Sequence, residues 1–121
     1  MKKILLIEDN DDIRDNTAEI LELSNYEVIV AENGKVGVAK AIEHEPDLII
    51  CDIMMPEIGG YELLRLLKQN STTANIPFIF ASASVERKEI QVGKDLGANG
   101  YLCKPFSQEE LVKELERWLG K

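Results

Sequence analysis

The sequence predicts a doubly wound α/β fold built on a five-stranded parallel sheet. Short apolar runs rich in Ile, Leu and Phe alternate with stretches of helical period, as is typical of strands buried on both faces of a parallel sheet. The alternation occurs five times, without a linker, an internal repeat or a low-complexity tract. Because crossovers between parallel strands are right-handed, a doubly wound sheet is the economical topology. We expect one domain over residues 1–121.

The order of elements follows from the apolar pattern. Five apolar runs predict the strands: residues 4–7, 26–31, 48–51, 78–81 and 101–103. The buried face of the first helix is predicted from residues at helical spacing: Ile13, Thr17, Ile20 and Leu21. A second helix is expected from Asn33 to about residue 43, although Gly37 inside it costs on the order of 1 kcal/mol relative to Ala. Pro56 and the Gly59-Gly60 pair mark a loop, and the apolar face of the third helix then comprises Leu63, Leu64 and Leu67.

The last two helices differ in their predicted burial. The fourth helix, over about residues 85–96, has a charged first turn, few apolar residues and an internal Gly93, which make it a candidate mobile element. Gly97 is a natural C-terminal stop for it. The fifth helix opens with a capping-box pattern, Ser107 followed by Glu110. Its apolar stripe is predicted from Leu111, Leu115, Trp118 and Leu119.

Composition and charge exclude several classes of protein. Hydrophobic residues make up 45% of the chain and charged residues 30%, and no apolar stretch approaches the roughly 18 residues of a membrane helix. The apolar run after Lys2 and Lys3 is too short for an export signal. We therefore expect a soluble cytoplasmic protein without a membrane partner. The net charge of −8 disfavours direct nucleic-acid binding, which depends on Lys and Arg contacts to phosphates.

The two cysteines, Cys51 and Cys103, each end an apolar run. Free Cys at such positions commonly packs as a small hydrophobe, and a disulfide is not expected in the cytoplasm. Two isolated thiols also provide too few ligands for a metal site.

Polar side chains follow four of the predicted strands. Glu8 and Asp9 follow the first strand, Asp52 the third, Ser82 the fourth and Lys104 the fifth. Since ligands of open α/β sheets bind at the carboxyl ends of the strands, we expect these side chains to converge on one crevice. Carboxylates are the ligands that Mg²⁺ prefers, and clustered carboxylates without a cation would raise at least one pKa. Taken singly, acids in these positions more often cap the following helix.

Two further points about this crevice follow from the residue types. Asp52 stands alone after a fully apolar strand and is the best nucleophile candidate, because a carboxylate can form an acyl phosphate. Lys104 would neutralise phosphoryl oxygens and the Ser82 hydroxyl would donate a hydrogen bond to them. Glu8 leaves two placements open: contact with the cation through a bound water, or orientation partly away from the site, since adjacent strand residues face opposite sides.

At these residues the chain resembles the receiver domains of two-component response regulators, the CheY-like family, over essentially its whole length. Four stretches carry the resemblance together with Gly60: ILLIED at 4–9, PDLIICDIMMP at 46–56, IPFIFASA at 76–83 and GANGYLCKPF at 97–106. Four such stretches in this order are very specific. The resemblance implies a flavodoxin-like sheet with strand order 2-1-3-4-5.

The resemblance also implies roles for individual residues. Asp52 would be the phosphoacceptor, and Ser82 and Lys104 would bind the phosphoryl oxygens. Mg²⁺, with Mn²⁺ as an alternative, would be held by Glu8, Asp9, Asp52 and the backbone carbonyl of Met54. Tyr101 would be the aromatic switch residue that turns inward when Ser82 moves. The peptide between Lys104 and Pro105 would be cis.

A signalling role with protein partners follows from the same resemblance. The phosphoryl group would come from a sensor histidine kinase or a histidine phosphotransfer protein. Phosphorylation would change the surface of the fourth helix, fifth strand and fifth helix, and so the preference for a downstream protein. The protein would assist its own phosphorylation and dephosphorylation without being an enzyme. The sequence leaves open whether the chain is a stand-alone, monomeric receiver, whether it dimerises when phosphorylated, and whether it belongs to a longer protein.

The chain departs from the family pattern at several positions. Ser82 stands where Thr is more common, which would loosen the switch or change its populations. Gly37 and Gly93 stand where the family often has Ala, which predicts softer second and fourth helices.

Two rival functions fit the residues less well than this one. A Mg²⁺-dependent phosphatase with an aspartyl-phosphate intermediate usually has a second Asp two residues after the nucleophile, whereas that position here is Met54. A flavodoxin-like cofactor binder would need a Gly/Ser/Thr-rich phosphate loop after the first strand, whereas the acidic run from Glu8 to Asp12 would repel phosphate unless a metal intervened.

Overall fold

The protein folds as a five-stranded parallel sheet flanked by helices on both faces. The structure, a computed structural model, describes residues 1–83 and 86–120. Along the chain the elements are β1 Lys3–Ile7, α1 Asp11–Leu23, β2 Glu27–Ala31, α2 Gly34–His44, β3 Leu48–Cys51, α3 Gly60–Lys68, β4 Phe78–Ser82, α4 Arg87–Asp95, β5 Gly100–Cys103 and α5 Gln108–Leu119. The strand order is β2-β1-β3-β4-β5, with every pair parallel. The predicted fold class and strand order are confirmed.

Alternate residues of each strand enter different halves of the core. On one face, Leu5, Ile49 and Phe80 pack with α2 and α3. On the other, Leu6 and Ile50 belong to the cluster that includes α1 and α5. This separation follows from the pleat, which points successive side chains to opposite sides of a sheet. Because both faces are covered, β3 and β4 are buried at every position, and all of their residues except Ser82 are apolar.

The helix boundaries mostly match the capping signals. The Asn33 side chain accepts a hydrogen bond from the Val36 amide at the start of α2. At the start of α5 the Ser107 hydroxyl and the Glu110 carboxylate form the predicted reciprocal capping box. Gly97, just after α4, adopts a φ of +106°, which favours glycine. The predicted start of the fourth helix at residue 85 lies outside the described residues.

Three apolar residues are more exposed than their spacing predicted. Ile13 on α1 and Trp118 on α5 are 38% and 37% exposed, so the predicted stripes of these helices are wrong at one position each. The Trp118 indole N–H instead donates a hydrogen bond to the Glu114 carboxylate, 3.0 Å away. Cys103 is exposed as well, in contrast to the fully buried Cys51, because β5 is an outer strand of the sheet.

The glycines inside helices have a packing role that propensity alone does not reveal. A Cβ on Gly93 would lie 3.0 Å from Cδ2 of the Phe80 ring, and one on Gly37 would lie 2.7 Å from Cδ1 of Ile7. Both glycines therefore let their helices approach the sheet closely, which is a different reason for glycine than the helix softness that the sequence suggested. The predicted low burial of α4 is confirmed, since Gly93 is its one buried residue among residues 87–95.

Gly60, the first residue of α3, is packed more tightly than Gly37 or Gly93. A Cβ there would lie 2.5 Å from the Asp52 carbonyl oxygen and 2.8 Å from the Ile53 Cα, both of them backbone atoms. The Gly60 amide also donates a hydrogen bond to the Ile53 carbonyl at 2.8 Å. The loop that follows β3 is thus folded directly against the first residue of α3.

We expect Gly60→Ala to lower the free energy of unfolding by about 1–3 kcal/mol, because backbone atoms cannot yield to the added methyl group. Chemical denaturation measures this loss. Gly59→Ala is the matched control, since a Cβ at Gly59 would meet only the Ile53 carbonyl oxygen, at 3.3 Å. Equal losses in the two variants would contradict the proposed contact.

Candidate functional site

The carboxyl ends of β1 and β3 bring three acidic side chains together. One carboxylate oxygen from each of Glu8, Asp9 and Asp52 lies within 4.8 Å of the others. The sheet causes this convergence, because β1 and β3 are paired in register from Ile4–Leu48 to Ile7–Cys51 and therefore end at the same level. The three acids differ in exposure: Glu8 is buried, Asp52 is intermediate and Asp9 is exposed.

Glu8 points into the site and not away from it. Its residue is 3% exposed, its Oε2 accepts a hydrogen bond from the Asn10 amide at 3.2 Å, and its Oε1 is paired with the Lys104 ammonium. Burial raises the pKa of the Glu8 carboxyl, and the bonds from Lys104 and Asn10 oppose that effect only in part. The ionised form of Glu8 is therefore incompletely compensated.

Lys104 links the acidic side chains across the crevice. Its ammonium also contacts Oδ2 of Asp52 at 3.2 Å, and its side chain is 14% exposed. Burial lowers the pKa of Lys104, but the hydrogen bond to Glu8 and the charge of Asp52 outweigh burial and leave it raised. Lys104 thus stays charged, as a point charge between two carboxylates.

Asp52 is oriented by donors on both of its oxygens. Oδ1 accepts a hydrogen bond from the Met54 amide at 3.2 Å, while Oδ2 faces Lys104. Its side chain is 14% exposed, so it reaches solvent from a mostly enclosed position. Met54 itself is 76% exposed, which places its side chain at the mouth of the site.

Comparisons with known proteins agree with this geometry. The family model for the response regulator receiver domain matches residues 4–116. The chain belongs to this family. Receiver domains are signalling modules of two-component systems and bind Mg²⁺ at an acidic pocket, and a cluster of Glu8, Asp9 and Asp52 is present here.

Two individual relatives are similar to this receiver domain along almost its whole length. It is 40% identical over 120 residues to the phosphate regulon transcriptional regulatory protein PhoB of Pseudomonas aeruginosa, covering 99% of this chain and 52% of that protein. The chemotaxis protein CheY4 of Vibrio cholerae superposes with a TM-score of 0.94 at 34% identity, covering 98% of this chain and 99% of that one.

The crystal structure of a third relative contains a metal ion. The receiver domain of a sensor histidine kinase from Pseudomonas aeruginosa PAO1, with a magnesium ion coordinated in its active site cleft, superposes with a TM-score of 0.92 at 29% identity. The match covers 99% of this chain and 98% of that one. In contrast, the chain spans about half the length of most of the curated relatives it matches, PhoB included.

Ser82 and Tyr101 of the receiver domain lie on the side of the site toward α4. Ser82 ends β4 and is 4% exposed, while Tyr101 is half-buried on β5, in register with Phe80. Burial raises the pKa of the Tyr101 hydroxyl, while a hydrogen bond with the Ser82 side chain acts in the opposite direction. The two residues that the resemblance implies for the switch are therefore already in contact.

The loop after β5 holds Lys104 against the sheet. The Lys104 amide donates a hydrogen bond to the Ser82 carbonyl at 2.8 Å, and the peptide between Lys104 and Pro105 is cis. Ser82 and Lys104 therefore have a direct backbone connection.

Sequence reasoning missed Arg14. Its guanidinium donates a hydrogen bond to the Glu8 carbonyl at 3.0 Å and forms an ion pair with Asp11 at 2.6 Å. The contact fixes the peptide that joins the two adjacent acids of the site. The available sequence signal was an arginine three residues after an acid in the first turn of a helix, which is common on exposed helix surfaces.

Among the described residues no helix has both the length and the apolar character that crossing a membrane requires.

The Lys104 ammonium is paired with Glu8 and Asp52, two of the three clustered acids, so it would compete with a metal ion for them. This competition leads to a prediction for metal binding. We expect Lys104→Met to lower the Kd for Mg²⁺ by at least about threefold, because removal of an adjacent positive charge favours a cation among the carboxylates. Isothermal titration calorimetry measures the Kd.

Lys113→Met is the matched control, since Lys113 is exposed on α5 and its replacement changes the net charge equally. A Kd that is unchanged in Lys104→Met, or lowered equally in both variants, would contradict the competition.

Proposed function

We propose that this receiver domain is a Mg²⁺-dependent phosphoacceptor module of a two-component phosphorelay, with Asp52 as the phosphorylated residue. The proposal is supported chiefly by the position of Asp52: its two oxygens are held by the Met54 amide and by Lys104, and its side chain, unlike that of the more buried Glu8, still reaches solvent. A carboxylate oriented in this way while still reaching solvent is suited to nucleophilic attack.

The donor set fits a magnesium ion. Glu8, Asp9 and Asp52 provide hard oxygen ligands within reach of one centre, and the incompletely compensated charge of buried Glu8 favours a cation there. These three residues, with the backbone carbonyl of Met54, would hold the ion, and Mn²⁺ is an alternative. When bound, the ion supplies positive charge that offsets the negative charge of phosphoryl oxygens.

The transfer itself needs little from the protein beyond orientation and charge. One Asp52 carboxylate oxygen attacks the phosphorus of a phosphohistidine on the partner, the P–N bond breaks, and its electron pair stays on the departing imidazole. Lys104, now 3.2 Å from Oδ2 of Asp52, then pairs with a phosphoryl oxygen. The Ser82 hydroxyl donates to a second one, so both residues sense the new group.

Ser82 connects this event to the α4-β5-α5 surface. Its hydrogen bond with Tyr101 means that a hydroxyl drawn toward the phosphoryl group leaves or reorients that partner. Tyr101 lies on β5 beside α4 and α5, where it borders a cavity of about 400 Å³ also lined by Ile90, Lys94 and Arg117. A change at Tyr101 therefore alters the surface offered to a downstream protein.

The partners in this proposal are proteins. A sensor histidine kinase or a histidine phosphotransfer protein supplies the phosphoryl group, and a downstream protein reads the surface. The net charge of −8 argues against direct contact between this domain and nucleic acid, and a cytoplasmic location suits such a phosphorelay. The domain would act as a monomer, or as a dimer when phosphorylated, and it would assist its own phosphorylation and dephosphorylation without turning over a separate substrate.

Replacement of the acceptor tests the proposal directly. We expect the wild-type protein to gain one phosphoryl group when incubated with Mg²⁺ and acetyl phosphate, and Asp52→Asn to gain none, because an amide is a poor nucleophile. Intact mass spectrometry measures the gain. Asp47→Asn is a control that changes an acid before β3 instead of after it. Labelling of Asp52→Asn at the wild-type level would refute Asp52 as the acceptor.

Replacement of Asp9 tests the metal site. We expect Asp9→Ala to weaken Mg²⁺ binding by at least tenfold, or about 1.4 kcal/mol, because it removes an exposed carboxylate from the cluster. Calorimetric titration measures the Kd, with Asp12→Ala on the exposed start of α1 as the control for general loss of charge. The same titration curve for Asp9→Ala and the wild type would exclude Asp9 as a ligand.

A further inference from the structure

The first residue of α3 is fixed to the backbone of the phosphoacceptor. Gly60 donates its amide proton to the Ile53 carbonyl at 2.8 Å, and its ideal Cβ position is only 2.5 Å from the Asp52 carbonyl oxygen. Any displacement of the Asp52 backbone therefore displaces the start of α3, since such contacts leave no free space.

The ring of Phe80 lies between the start of α3 and the middle of α4. Its Cε1 is 3.0 Å from the ideal Cβ position of Gly60, and its Cδ2, on the opposite edge, is 3.0 Å from that of Gly93. A side chain at either glycine would push the ring or the helix away. The ring thus acts as a rigid spacer between the two helices.

Tyr61, the second residue of α3, makes a directional contact with α4. Its hydroxyl donates a hydrogen bond to the backbone carbonyl of Glu89, in the first turn of α4, at 3.0 Å. Its ring packs edge-on against Phe80, with 5.4 Å between the centroids and an interplanar angle of 82°. Few other apolar contacts hold α4, because Gly93 is the one residue of 87–95 that is buried.

We propose that Tyr61 is a positioning residue that couples the phosphoacceptor loop to α4, with the Phe80 ring as its packing partner. This connection is separate from the one through Ser82 and Tyr101, because it starts at the Asp52 backbone and reaches α4 through α3. It determines where α4 lies within the α4-β5-α5 surface. The part that concerns signalling rests on the proposed function, since it takes Asp52 as the phosphoacceptor.

The first experiment measures the hydroxyl contact in the protein without a phosphoryl group. Tyr61→Phe keeps the ring against Phe80 and removes only the hydrogen bond to Glu89. We expect the amides of residues 87–95 to exchange with solvent at least about threefold faster than in the wild type, with those of α1 and α5 unchanged. Hydrogen exchange resolved by NMR measures these rates.

Tyr26→Phe is the matched control, because the Tyr26 hydroxyl has no hydrogen-bond partner among residues 1–83 and 86–120. It should leave the exchange of α4 at the wild-type rate. An unchanged α4 in Tyr61→Phe, or an equal acceleration in α1 and α5, would overturn the positioning role.

The second experiment measures the coupling to Asp52. Beryllofluoride with Mg²⁺ serves as the phosphoryl analogue, and its bound fraction is read independently by ¹⁹F NMR. We expect it to change α4 exchange in the wild type, and to change it by less than half as much in Tyr61→Phe at the same bound fraction. An equal change in both proteins, or a wild-type α4 that does not respond to bound beryllofluoride, would overturn the coupling.

A failure of the proposed function can be distinguished from a failure of the positioning role of Tyr61. If the wild type binds no beryllofluoride, the proposed function fails, while the exchange of α4 in Tyr61→Phe still decides the positioning role.

Discussion

The site depends on one ammonium group placed among carboxylates. Lys104 pairs with Glu8 and Asp52, while Asp9 completes a cluster of acids within 4.8 Å of one another. A buried carboxylate without a partner would be strongly destabilising, so Glu8 depends on Lys104 for a cation when no metal is bound. The same contact keeps the loop after β5 near the loop after β3, and thereby brings together elements that are far apart in sequence.

Close approach of helices to the sheet is the second condition for this arrangement. Gly37 seats α2 on β1, Gly60 seats α3 on the loop after β3, and Gly93 seats α4 on β4. In each case a methyl group would separate the two elements. The acidic crevice and the α4-β5-α5 surface are thus connected by packing that leaves little room for independent movement, which suits a domain that transmits a local change.

Features that depend on local sequence pattern were predictable, whereas features that depend on tertiary contacts between distant residues were not. Runs of buried residues identified the strands, and the parallel topology then placed Glu8, Asp52 and Lys104 at one edge. The orientation of Glu8 was not predictable, because its partner Lys104 lies 96 residues away. The role of Tyr61 was not predictable either, because its hydrogen bond to the Glu89 backbone has no signature in the local sequence.

Exposure was also mispredicted where local pattern and position in the sheet disagree. Cys103 ends an apolar run but lies on an outer strand, so it faces solvent. Gly93 shows a related limit: propensity scales describe isolated helices, so the sequence indicated the cost of a glycine there but not its close packing against Phe80.

The position of Trp118 has a practical consequence. It is the one tryptophan of the chain, its indole N–H is bonded to the Glu114 carboxylate, and that carboxylate lies against Gly100 at the start of β5. Intrinsic emission excited at the indole band therefore arises from a single fluorophore at the contact of α5 with β5. Because this contact adjoins the α4-β5-α5 surface, the protein contains a native optical reporter there, and changes of that surface can be followed without attaching a dye.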